Sequence, residues 1–137
     1  MIGVLIVTHL DFGQKLLETA EGIVGTQDVC MALSLDAQHD METVLADIKQ
    51  GLDQLDQGDG VLVLTDMFGG TPSNVSLSLL GTGKLDVITG ANLPMLLKIF
   101  SARQSTPLAD LALEAKSAGR QGILVAGEVL KRKIANE

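Results

Sequence analysis

The chain has no tryptophan and no tyrosine, only three phenylalanines and a single cysteine. Aromatics make up 2% of it against 46% apolar residues, which predicts an aliphatic core. One thiol forms no internal disulfide, and the apolar run around Cys30 reads as core rather than as the setting of a nucleophile. Two histidines and one cysteine without ligand spacing predict neither a metal centre nor a cofactor. Basic residues number 10 against 17 acidic ones, a formal net charge of −7. That balance argues against binding nucleic acid or an anionic membrane through bulk electrostatics. The acidic residues are scattered, as on a solvated surface. No stretch approaches the roughly 20 apolar residues of a membrane span. Met1-Ile2-Gly3-Val4 lacks the basic region of a signal peptide. The expectation is a cytoplasmic protein, not inserted in a membrane, whose 137 residues form one domain.

What is present is a regular alternation. Ile2 to Val7 is nearly continuous apolar sequence, as in a strand covered on both faces, and it ends in Thr8-His9. Asp11 and Gln14 are spaced as a capping pair before a helix that Gly25 stops. A second strand, Val29 to Leu35, precedes a helix capped by Asp40. Val61 to Leu64 is the third strand, followed by a short helix through Leu80. Leu85 to Thr89 is the fourth, followed by helices opening at Asn92-Leu93-Pro94 and at Thr106-Pro107. Gly122 to Ala126 reads as a short final strand and Glu128 to Ile134 as a terminal helix or tail. Strands alternating with helices predict an α/β domain with a mostly parallel sheet.

In such a sheet, functional groups gather beyond the carboxyl ends of the strands, where strand order reverses. His9 follows the first strand and Asp66 the third. If those strands are neighbours there, the carboxylate can hold one ring nitrogen and leave the other as a lone-pair nucleophile. Gly69 and Gly70 permit a close backbone turn, with Thr71 as the expected N-cap and Pro72 at the first helical position. Free N–H groups at a helix start beside a nucleophilic imidazole fit phosphoryl transfer through a phosphohistidine. The stretch carries neither the lysine of a phosphate-binding P-loop nor the dinucleotide glycine spacing. A serine hydrolase fits less well, because Ser73 falls inside the helix start and no Gly-x-Ser-x-Gly elbow exists. His39, in the polar stretch Asp36 to Asp40, reads as part of a solvated loop.

Val7-Thr8-His9, Thr65 to Asn74, Gly90 to Leu96 and Gly119 to Gly122 resemble, in order, the enzyme IIA of the mannose/fructose class. That family belongs to the bacterial phosphoenolpyruvate-dependent sugar phosphotransferase system, and the similarity spans essentially the whole chain. It implies a phosphotransferase component in which His9 accepts a phosphoryl group from phospho-HPr and passes it to enzyme IIB. Asp66 then orients the ring through Nδ1, with Thr71, Gly70 and Gly69 near the phosphate. The resemblance also implies a homodimer whose last short strand is exchanged and added antiparallel to the sheet edge. Leu10, Phe12, Met67 and Phe68 flank this edge and are candidates for docking partner proteins, the last two being alternatively core residues. After the histidine the family shows glycine and small residues. This chain has Leu10-Asp11-Phe12, which crowds the turn and adds negative charge. Two alternatives stay open. One is a regulatory module whose His9 phosphorylation controls binding to another protein, and the other a subunit serving a soluble sugar or dihydroxyacetone kinase.

Overall fold

The computed structural model describes residues 1–136 as a three-layer α/β domain. Its strands are β1 (Gly3–His9), β2 (Cys30–Leu35), β3 (Val61–Thr65) and β4 (Leu85–Thr89). They lie in the order β2-β1-β3-β4, all parallel. The chain moves outward from β1 to β2, then returns to the other side of β1 for β3. The strand order therefore reverses between β1 and β3.

The near-continuous apolar runs of β1 and β3 are needed because both sheet faces are covered. Val4, Ile6, Leu62 and Leu64 pack on one face against α1 (Phe12–Val24), α4 (Leu93–Ala102) and α5 (Leu108–Gln121). Leu5, Val7, Val61 and Val63 pack on the other against α2 (Met41–Leu55) and α3 (Thr71–Leu77). Successive side chains thus supply two aliphatic cores, as the period-two geometry of a strand requires. Cys30 packs against the first core, and burial pushes its thiol up to about 12. A buried neutral thiol is inert, as expected for it. Among the described residues no helix is long and apolar enough to cross a membrane.

Helix starts follow expectation at two places. The Asp40 side chain accepts from Thr43 N–H at 2.7 Å, and Asn92 accepts from Met95 N–H at 3.1 Å. Elsewhere the caps differ. Asp11 occupies the N-cap of α1 without a side-chain bond, so the expected pair with Gln14 does not form. Thr8 Oγ1 instead accepts from Gly13 N–H at 2.7 Å, reaching into the helix start from the strand before it. Gly70, not Thr71, is the N-cap of α3, so Thr71 is the first helical residue. Pro107 caps α5, whose first residue is Leu108.

The largest departure is at the carboxyl end. Residues 122–125 form no strand in the single chain, and α6 runs from Ala126–Ala135. Gly122 N–H donates to Ala118 O and Ile123 N–H to Arg120 O, winding the chain off α5 instead of pairing with a sheet. A strand needs a partner backbone, and among the described residues this segment pairs with none. Ile123, Leu124, Val125, Val129, Leu130 and Ile134 are consequently exposed.

Candidate functional site

The register of β1 against β3 pairs Val7 with Thr65, so His9 and Asp66 leave the sheet side by side at its switch point. His9 Nδ1 lies 2.7 Å from Asp66 Oδ2. The same oxygen accepts from the His9 backbone N–H at 3.0 Å, and Asp66 Oδ1 accepts from Met67 N–H at 3.0 Å. Burial pushes the Asp66 carboxyl up, but the hydrogen bonds from the His9 backbone and ring outweigh it. The carboxyl is held below its ordinary value, hence ionised near neutral pH. An ionised carboxylate has no proton to give, so Nδ1 carries the hydrogen, and in the neutral ring Nε2 holds the lone pair. The His9 side chain is 48% exposed and that of Asp66 only 15%, so the ring faces solvent while the carboxylate that holds it is sheltered.

The glycine turn lies against the ring. A Cβ placed on Gly70 would stand 2.7 Å from His9 Cε1 and 3.2 Å from Nε2, so only a residue without a side chain lets the backbone come this close. Gly69 adopts φ +91°, a left-handed value that favours glycine. Thr71 and Pro72 share with His9 and Leu10 the lining of one cleft. Leu10 takes a left-handed φ of +47° and is exposed, while its N–H donates to Leu35 O at 2.8 Å. The crowding expected after His9 is thus met by moving the side chain outward at a backbone cost of about 1–2 kcal/mol. Phe12, Met67 and Phe68 are also exposed, Phe68 at 73%, which removes Met67 and Phe68 from the core.

Ser73 is completely buried and its Oγ has no partner among the described residues, so it presents no nucleophile to solvent. No group of three potential metal ligands occurs among the described residues.

Two residues gain roles that spacing did not give them. Thr8 is completely buried, and its hydroxyl braces the helix start just after His9. Its signal in the sequence was a polar residue in register with the buried side of an apolar strand. His39 lies in the loop after β2 yet lines the same cleft as His9, its Nδ1 2.7 Å from Asp36 Oδ1. An Asp-x-x-His turn directly following the edge strand that pairs with β1 was the available clue.

The family model described as PTS system fructose IIA component matches residues 3–116. This chain belongs to that family. It is similar to the fructose-specific EIIA component of Bacillus subtilis strain 168, with 33% identity over 139 residues covering 100% of this chain and 95% of the relative. It is 34% identical over 124 residues to the mannose-specific EIIAB component of Escherichia coli K12, covering 89% of this chain but 38% of that longer protein. Among solved structures, the EIIA phosphotransferase-system component from Streptococcus agalactiae superposes with a TM-score of 0.85 at 29% identity, covering 93% of this chain and 99% of that one. As an EIIA family member, the chain has a general role in sugar phosphotransfer and is a transferase component.

Proposed function

We propose that this EIIA protein is a cytoplasmic phosphocarrier that takes a phosphoryl group from phospho-HPr onto His9 and delivers it to enzyme IIB. The 2.7 Å contact between His9 Nδ1 and Asp66 carries the reading, because in the neutral ring it places the hydrogen on Nδ1 and the lone pair on Nε2, held in one orientation. Nε2 attacks the phosphorus as the N–P bond on the donor histidine breaks, and the ring's new positive charge is balanced by Asp66. A histidine or cysteine of IIB then attacks the same phosphorus and His9 leaves, neutral again. Backbone donors of the turn at Gly69 and Gly70, with Thr71, stabilise the equatorial oxygens in both steps. Support for that assignment is the close approach of Gly70 to the Nε2 side of the ring.

The exposed apolar side chains of Leu10, Phe12, Met67 and Phe68 border this edge and supply a surface on which both partner proteins dock. The protein works as a homodimer in which residues 122–125 add to the partner copy's sheet. Their exposed apolar side chains support this, since a lone chain leaves them against water. No nucleotide, metal or nucleic acid takes part.

The test is labelling from phosphoenolpyruvate with enzyme I and HPr, followed by addition of IIB. Wild type becomes labelled on His9 and loses the label to IIB, while His9→Ala takes none. Equal labelling of His9→Ala, or an unlabelled wild type, ends the proposal. A stable label that no IIB removes replaces transport with a regulatory phosphoacceptor.

A further inference from the structure

A cleft of about 370 Å³ is lined by His9 and Leu10 from the end of β1, Asp36 and His39 from the loop after β2, and Thr71 and Pro72 from the start of α3. His9 pairs with Leu35 across β1 and β2, and Leu10 N–H donates to Leu35 O, which ties the His39 loop directly beside the phosphoacceptor. No lysine or arginine lines this cleft among the described residues. A phosphoryl group brings about −1.5 to −2 charges to such a place. Apart from His9 itself, His39 is the one lining residue able to carry a positive charge.

Its ring is already held. Nδ1 lies 2.7 Å from Asp36 Oδ1, and the Asp36 carboxyl sits below its ordinary value, first through Gln38 N–H and then through this ring. The Asp36 N–H also approaches Nδ1, at 3.3 Å, which would require a bare nitrogen. The shorter contact decides, because an ionised carboxylate can only accept. Nδ1 therefore carries hydrogen, and Nε2 is the nitrogen left to gain a proton.

Resting on the phosphohistidine reading above, we infer that His39 becomes imidazolium and donates from Nε2 to an oxygen of the phosphoryl group on His9. The charged groups around it are consistent with a cation. Asp36 and Asp40 flank it in its own loop, with Asp40 engaged at Thr43 N–H. Glu42 lies in the first turn of α2, and Asp66 is already committed to His9. From α3 come only the uncharged Thr71 and Pro72. Phosphorylation and protonation of His39 thus reinforce one another, and the coupling is reciprocal.

The experiment uses the full chain and phosphoramidate, a small phosphodonor that needs no partner protein. Peptide mass spectrometry locates the label, and nitrogen NMR follows the His39 ring against pH before and after labelling. The titration midpoint of His39 moves up by roughly one to three units when His9 is phosphorylated. It stays in place in His9→Ala treated identically, and moves less in Asp36→Asn. Label on His9 with an unmoved His39 overturns the inference and leaves the phosphocarrier reading intact. Label on His39 itself also overturns it, since the ring would then be an acceptor. Failure of His9 to take label from either phosphoramidate or phospho-HPr removes both readings together.

Discussion

A single oxygen of Asp66 accepts both hydrogen bonds that His9 has to give, one from its backbone N–H at 3.0 Å and one from Nδ1 at 2.7 Å. Main chain and ring are thereby locked to the same point on β3's far end. In Asp66→Asn the amide oxygen can still accept both, but the amide NH2 then faces Met67 N–H donor to donor and the negative charge beside the ring is gone. Phosphoryl transfer to His9 should fall about 10²-fold, as misplacement of a reacting group does. Rapid-quench labelling measures it, and wild-type kinetics in the variant would remove the orienting role.

Gly70→Ala tests the approach of the turn. The new methyl meets Cε1 at 2.7 Å, closer than real contacts allow, so the ring or the turn must shift. Gly70 has φ −86°, which alanine adopts freely, so the backbone itself carries no penalty. Transfer should slow by tenfold or more while thermal unfolding changes by less than about 1 kcal/mol. A large stability loss would show that the turn is structural instead.

The acid behaviour of the fold follows from Asp66. Asp66 is depressed in the folded state, so its stabilisation is fully present above the unfolded value of about 3.9 and is lost as pH falls through the lower folded value. The stability difference between wild type and Asp66→Asn should be constant above that range and shrink below it. Denaturant titrations at stepped pH measure this.

Thr8→Val keeps shape and removes the acceptor of Gly13 N–H. The unmatched donor is buried, at a cost of about 1–3 kcal/mol. Since His9 lies between Thr8 and the start of α1, the variant should also broaden the His9 ring signals in NMR. Unchanged stability would mean that Gly13 N–H finds another acceptor.

The exchanged-strand dimer rests on exposed apolar residues at 123–125. Leu124→Asp should convert a dimer to a monomer in sedimentation equilibrium, with labelling of His9 retained. A wild-type monomer at micromolar concentration would end this part of the proposal.

Local pattern was enough for much of this molecule. The apolar runs of β1 and β3 announce strands buried on both faces, because alternate side chains must fill two cores. Asp40 and Asn92 cap helices as their neighbours in sequence require, since capping is a contact over three residues. Even the meeting of His9 with Asp66 follows from strand order, once β1 and β3 are taken as the pair at the switch point. The caps of α1 and α3 depart from local pattern for the opposite reason. Thr8 reaches Gly13 across the turn and Gly70 is held against the His9 ring, and both contacts depend on three-dimensional approach.

Residue order by itself determined the alternation of elements, the aliphatic cores and the two polar groups delivered to one sheet edge, because these obey short-range periodicity. Tertiary structure alone decided that residues 122–125 stay unpaired in one chain, that Met67 and Phe68 face outward, and that His39 shares a cleft with His9. Each of those outcomes depends on what lies across a gap in space, and no spacing along the chain encodes that neighbour.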